Sequence, residues 1–276
     1  MVDSNQKLIC LITDFGLKGQ HYVASMKGVI LKINPNIRII DITHSITPFS
    51  IIEASYILKT TYKHFPKETI FIIVVDPGVG NSREILALKT KSNHYFIGPN
   101  NGIFSGDFIY NIDECIEIQN DEFFNKPISN TFHGRDIMAP VAAHLISGIP
   151  LIRFGHNFNL NNLEESLMKY DIDLEKKTVQ CSIQYIDSFG NVTTNIPIVN
   201  NKIQNSGVTL KEGIKISVKI DKNTYEGIFT LNYSNVPIGS ILFLVGSTDY
   251  LEISINQGNV SKELGFKIGD IITIRL

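Results

Sequence analysis

A chain of 276 residues with 43% hydrophobic content is long enough for one large or two modest domains, which bury roughly three-quarters of the unfolded surface. The net charge of -2 excludes a general nucleic-acid binder, which carries a basic face. No apolar run approaches the ~20 residues of a membrane-spanning helix, the opening residues are polar rather than signal-like, and the three cysteines stand far apart, so a cytoplasmic protein with buried thiols is expected.

Residues 8–13 (LICLIT) predict a strand, and Asp14-Phe15-Gly16 follows its end. Tyr22, Val23, Met26, Val29, Ile30 and Ile33 recur at helical spacing, and Asn34-Pro35 stops that helix. Residues 37–42 predict a second strand, leading into the polar loop Thr43-His44-Ser45-Ile46-Thr47-Pro48 and the aromatic Phe49. Residues 50–64 predict a second helix, with Pro66 beyond it.

The stretch 71–83, FIIVVDPGVGNSR, organises the rest. Five apolar residues read as a strand buried on both faces. Asp76 stands where that strand ends, the place where open α/β sheets bind ligands. Pro77, Gly78 and Gly80 turn the chain, so Arg83 can fold back towards Asp76. A structural turn with an ion pair fits the same residues.

Residues 84–90 and 94–98 predict an antiparallel pair, followed by the turn-rich Gly98-Pro99-Asn100-Asn101-Gly102. Ile116 and Ile118 mark a short strand, and Thr131-Phe132-His133-Gly134-Arg135-Asp136 precedes a helical run from Met138 to Ile146. His133 sits in a polar turn at that helix start, whereas His144 lies in an apolar run and reads as structural. Residues 155–176 are polar. Short strands then dominate, at 179–186, 192–196, 214–220, 241–245, 251–255 and 271–274, with little sign of helix. The fold class that follows is an α/β N-terminal domain over residues 1–172, a mostly parallel sheet with helices on both faces, then a small all-β barrel domain over residues 173–276.

Two familiar patterns fail. Asp14-Phe15-Gly16 and His133-Gly134-Arg135-Asp136 stand in the reverse of kinase order, without a Gly-rich loop. Gly78-x-Gly80 meets no third glycine and no following helix, so it is no dinucleotide fingerprint. No paired metal-ligand spacing occurs.

ITDFG, THSITPF, VVDPGVG with Arg83, GPNNG, TFHGRD, SFGNVTTN and GSTDYLEISINQGN follow one another in this order. Together they resemble the S-adenosyl-L-methionine (SAM) hydrolases that form adenosine, also called SAM hydroxide adenosyltransferases, which are similar in fold to fluorinase and chlorinase. The resemblance covers nearly the whole chain. It implies an α/β domain followed by a β-barrel domain, and a homotrimer binding substrate between the N-terminal domain of one subunit and the C-terminal domain of its neighbour. No cofactor and no metal are expected. Asp76, Arg83 and His133 match the family's water-activating acid, arginine and histidine, and Asp14 its ribose-binding aspartate. Phe49 matches the loop aromatic near C5′. Asp187 matches the acid for the methionine amino group, Phe189 and Asn191 the adenine-side aromatic and amide, and Ser247 the serine near the methionine carboxylate. Glu252 stands nearby. Halogenases lack both Asp76 and His133, and they carry an arginine where this chain has Thr248, so the resemblance favours water as the nucleophile. A non-catalytic SAM or adenosine binder, or more distantly a halogenase, is the alternative on the same scaffold.

The implied chemistry makes physical sense. Attack at C5′ of a sulfonium expels a neutral thioether, so departure needs no acid. Water, with a pKa near 15.7, is the difficult partner. Arg83 favours developing hydroxide and Asp76 orients the water. A carboxylate already paired with a guanidinium is a poor proton acceptor, which points to His133.

Overall fold

The computed structural model describes residues 7–80, 82–168 and 170–276; the opening six residues, on which the expectation of no signal segment rests, lie outside that description. Two compact units make up the chain, one ending at Ser166 and the other beginning at Leu167.

In the first unit, β1 (Leu8–Thr13), β2 (Arg38–Thr43), β3 (Ile70–Val74), β4 (Ile85–Thr90), β5 (Tyr95–Pro99), β6 (Ile112–Ile118) and β7 (Gly155–Asn157) form one mixed sheet. Its order is β2-β1-β3-β5-β4-β6-β7. The pairs from β2 to β5 are parallel and the rest are antiparallel. Helices α1 (Gln20–Ile33), α2 (Ile51–Thr61) and α3 (Ala139–Ile146) cover it. The chain steps from β1 outwards to β2, then back across β1 to β3. With right-handed crossovers, that reversal puts α1 and α2 on opposite faces.

The side chains follow the period of two. Ile9 and Leu11 of β1 and Ile70 and Ile72 of β3 pack with Val23, Met26 and Ile30 of α1. Cys10 and Ile12, with Phe71 and Ile73, pack with Ala54 and Leu58 of α2. Every residue of β3 is buried, as its unbroken apolar run requires. Each such aliphatic side chain contributes about 1.5–3 kcal/mol by leaving water, so the sheet centre holds the strand ends rigidly.

The second unit contains β8 (Asp171–Asp173), β9 (Thr178–Ile186), β10 (Val192–Val199), β11 (Lys202–Ile203), β12 (Lys215–Ile220), β13 (Asn223–Phe229), β14 (Ile241–Val245), β15 (Tyr250–Ile255) and β16 (Ile271–Arg275), with a short α4 (Val260–Leu264). Running β10-β15-β14-β13-β12-β16-β9, and closed by the β9–β10 pair, seven strands form a barrel. Closure leaves no open edge among them. Val179, Cys181, Ile183, Val218, Phe243 and Ile253 are among the side chains that fill it.

β13 and α4 carry too little apolar pattern to be read from sequence. Most of β13 is exposed or half-exposed, and only Phe229 is fully buried. The three cysteines are free, buried thiols. Burial pushes those of Cys10 and Cys115 up to about 12, so they stay protonated. Among the described residues, no helix is long and apolar enough to cross a membrane.

Candidate active site

Thr13 of β1 and Val74 of β3 are paired in the parallel register. Asp14 and Asp76 therefore emerge from the carboxyl ends of adjacent strands. Because the chain leaves β1 on one side and returns on the other, this crevice is the topological switch point of the sheet, the place where such folds bind ligands.

Asp14 is half-buried, and its Oδ2 accepts the Phe49 N–H at 2.8 Å. Burial raises the Asp14 carboxyl above its usual range, the Phe49 N–H opposes that rise, and the Asp76 charge adds to it. Phe49 is 66% exposed and takes φ 69°, a left-handed conformation that strains a residue with a side chain. Its N–H to Asp14 and its carbonyl to the Ile51 N–H, 3.0 Å, hold it there. The start of α2 fixes the rest of the loop. Ser50 Oγ accepts the Glu53 N–H at 3.3 Å, and the Glu53 carboxylate accepts the Thr47 N–H at 2.9 Å.

At the other strand end, Asp76 Oδ1 accepts the Gly78 N–H at 2.9 Å and Arg83 Nη1 at 2.5 Å. The turn folds the arginine back as its length and glycines suggested. Asn101 braces the base of this turn by donating to the Val75 carbonyl at 2.9 Å. Gly80 takes φ 88°, and a Cβ there would come within 2.4 Å of the Asn130 carbonyl oxygen. Only glycine lets the segment preceding His133 lie so close.

His133 opens a single π turn, Gly134–Met138, which runs into α3. Such turns recur at functional sites. Gly134 is packed against β3, where a Cβ would meet the Val74 methyls at 3.0 and 3.1 Å. The imidazole is thereby carried to the strand end that bears Asp76. Asp14, Phe49, Asp76 and His133 line one cavity of about 300 Å³, at the small end for a ligand pocket.

Sequence reasoning missed the apolar wall of that cavity. Phe15, Tyr22 and Phe132 form a ring cluster with centroids 5.2–5.8 Å apart. Helical spacing puts Tyr22 in the α1 apolar stripe, but in the structure it is 44% exposed and stands on the cavity wall.

The remaining candidates lie in the barrel unit. Asp187 follows β9, and its Oδ1 accepts the N–H groups of Phe189 and Asn191, both at 2.9 Å. Its Oδ2 accepts Asn191 Nδ2 at 2.9 Å. Asp187 and Asn191 thus shape the tight turn that presents Phe189, which is 75% exposed. Glu252 Oε1 accepts the Tyr233 hydroxyl at 2.7 Å and Ser254 Oγ at 2.8 Å. Burial, then Glu252 and the Asp187 charge, push the Tyr233 phenol up, so it remains a donor. Ser247 is exposed in the turn after β14, next to Gly246, whose added Cβ would lie 3.1 Å from Glu252 Oε2. Tyr233 was not anticipated, because it sits in a polar loop with no periodic pattern.

Comparison with known proteins bears on both units. Residues 9–155 match the family model of the SAM hydroxide adenosyltransferase N-terminal domain, and residues 181–273 that of the C-terminal domain. The chain is 35% identical to the (R)-S-adenosyl-L-methionine hydrolase of Methanocaldococcus jannaschii, over 99% of this chain and 98% of that one. More distantly, it is 23% identical to the fluorinase of an Actinoplanes species, over 99% of both. A crystal structure of an uncharacterized conserved protein from Thermotoga maritima superposes with a TM-score of 0.85 at 38% identity, over 98% of this chain and all of that one.

Proposed function

The chain belongs to the SAM hydroxide adenosyltransferase family, and from that premise we propose that it hydrolyses S-adenosyl-L-methionine to adenosine and L-methionine at the β1/β3 switch point. The observation that carries the site is that Asp76, bonded to Arg83 behind it, lines one cavity together with His133, Asp14 and Phe49, while Arg83 itself is not on the wall.

In this reading, a water held by Asp76 attacks C5′ from the side opposite sulfur. The C5′–S bond breaks, its electron pair stays on sulfur, and methionine leaves as a neutral thioether. The water oxygen becomes the 5′-hydroxyl of adenosine, and its proton passes to His133. Arg83 stabilises the negative charge that develops on the water. Asp14 accepts the ribose hydroxyls with its free lone pairs, and Phe49 covers the ribose and C5′. On the barrel unit, Asp187 takes the amino group, Ser247 the carboxylate, Phe189 and Asn191 the adenine, and Glu252 a polar contact near the methionine end. We propose, from the family resemblance, a homotrimer in which one copy supplies the catalytic wall and its neighbour the barrel residues. Three free thiols agree with a cytoplasmic location.

The test is incubation with SAM in ¹⁸O-water, followed by chromatography and mass analysis. The expected product is adenosine labelled at the 5′-oxygen, with unlabelled methionine. His133→Ala should lower the rate by about 10²–10⁴-fold, the range for general base catalysis, with SAM affinity retained. An intact wild-type chain that binds SAM but releases no adenosine would leave only a binding protein. Formation of 5′-halo-5′-deoxyadenosine in added halide would assign a halogenase.

A further inference from the structure

Asp136 is wholly buried, yet the reaction just described does not use it. Its carboxylate accepts Nε and Nη2 of Arg135, each at 2.7 Å. One oxygen also accepts Asn125 Nδ2 at 2.8 Å, and the other the Ser129 N–H at 2.9 Å. The Asp136 carbonyl accepts the Asn125 N–H at 2.9 Å. Burial alone would raise this carboxyl, but Arg135, the Ser129 N–H and Asn125 together hold it below the ordinary range. It is therefore an ionised anchor with charge-assisted bonds to three residues.

What it anchors is the approach to His133. Ser129 is tied to the carboxylate, and the Phe132 carbonyl accepts the Arg135 and Asp136 N–H groups at 3.1 and 3.2 Å. Between those two points lies Asn130, whose carbonyl is packed on Gly80 in the turn that joins Asp76 to Arg83. Arg135 extends the brace, its guanidinium lying 5.1 Å from the centre of the Phe132 ring on the cavity wall. Asp136 itself is not on that wall.

We infer that Asp136 is a positioning residue for the hydrolysis: by pinning residues 129–132 against the Gly80 turn, it sets the His133 imidazole relative to the Asp76–Arg83 pair. The inference rests on the proposed reaction for its kinetic consequence, but the placement of His133 can be read without turnover. The ribose contacts proposed for Asp14 and Phe49 are a separate matter, since these residues hang from β1 and from the start of α2, and only Thr131 and Phe132 of the pinned segment share their cavity.

The experiment compares wild type with Asp136→Asn, Asn125→Ala, Gly80→Ala and the Gly80→Ala/Asp136→Asn double variant. Asp136→Asn keeps the shape but turns one acceptor into a donor facing Ser129 or Arg135. Its kcat for adenosine formation should fall by about 10–100-fold, as misplacement of a reacting group by about 1 Å does. KM for SAM and the Kd for adenosine should stay within about threefold, the split that marks loss of a transition-state interaction alone. The ring chemical shifts of His133 should move in NMR spectra. Gly80→Ala pushes on Asn130 from the other side, so its loss and that of Asp136→Asn should be less than additive. If Asp136→Asn does not fold, Asn125→Ala removes one bond and should show the same split at several-fold. Unchanged His133 shifts overturn the inference even if the wild type forms no adenosine, a result that would instead sink the proposed reaction. Unchanged kcat in the folded variants, or fully additive losses, also overturns it.

Discussion

At the scale of the residue, Asp14 sets a cost in stability against the ribose-binding role proposed for it. Its carboxyl is raised by burial and by the neighbouring Asp76 charge, against the opposing Phe49 N–H. The sign of the linkage follows. A carboxyl whose folded pKa is raised favours the fold below its unfolded pKa, and that contribution is lost as pH rises through the folded value. At neutral pH the charged Asp14 therefore costs stability, a cost that the proposed ribose contact would account for. Asp14→Asn should raise Tm at pH 7, with the gain shrinking towards pH 4, because its Oδ1 can still accept the Phe49 N–H. The same variant should weaken adenosine binding, since an amide offers one acceptor oxygen where the carboxylate offers two. Scanning calorimetry across pH and titration calorimetry with adenosine measure the two effects. A lower Tm at neutral pH would mean that the Phe49 contact outweighs burial.

Among the elements, α2 carries the clearest local device. Ser50 caps it, Glu53 accepts the Thr47 N–H, and the left-handed Phe49 lies between those two bonds. Ser50→Ala should cost about 1 kcal/mol of stability in urea unfolding, the usual loss of a cap, and should loosen Phe49 without touching Asp76. The parallel strands were legible from sequence because burial on both faces leaves a run such as residues 70–74 no room for polar residues. The helices α1 and α2 were legible from their 3.6 period. β13 was not, since a barrel strand with a solvated outer face needs few apolar positions, and Asn223–Phe229 supplies only Phe229 to the buried set. The π turn Gly134–Met138 was not legible either. It is accompanied by the close approach of Gly134 to Val74, a contact across the fold that local spacing does not announce. The same reason explains the uneven view of the site. Asp14, Asp76 and Arg83 could be read because strand ends and glycine turns announce themselves locally. The Phe15, Tyr22 and Phe132 wall and the Tyr233–Glu252 bond join segments far apart in the chain, which no spacing rule detects.

At the scale of the whole molecule, the question is which chains share a site. The cavity beside Asp76 and His133 has about 300 Å³, enough for a nucleoside-sized part of SAM at the small end of ligand pockets. The residues read as holding the methionine end, Asp187 and Ser247, belong to the other unit. If neighbouring copies in a closed ring each give one half of every site, as the proposed trimer requires, then two inactive chains should complement each other. His133→Ala spoils the catalytic half and leaves the barrel half sound; Asp187→Ala does the reverse. After reassembly from a 1:1 mixture, a given site draws an intact catalytic half and an intact barrel half together in about one case in four, because each half is chosen independently around the ring. The mixture should thus recover about a quarter of wild-type adenosine formation, while each variant alone stays inactive, and light scattering should report three chains per particle. If both halves came from one chain, every site would keep its lesion and mixing would restore nothing. A mixture no more active than its components, with exchange verified by mass-tagged subunits, would therefore rule out sharing between copies.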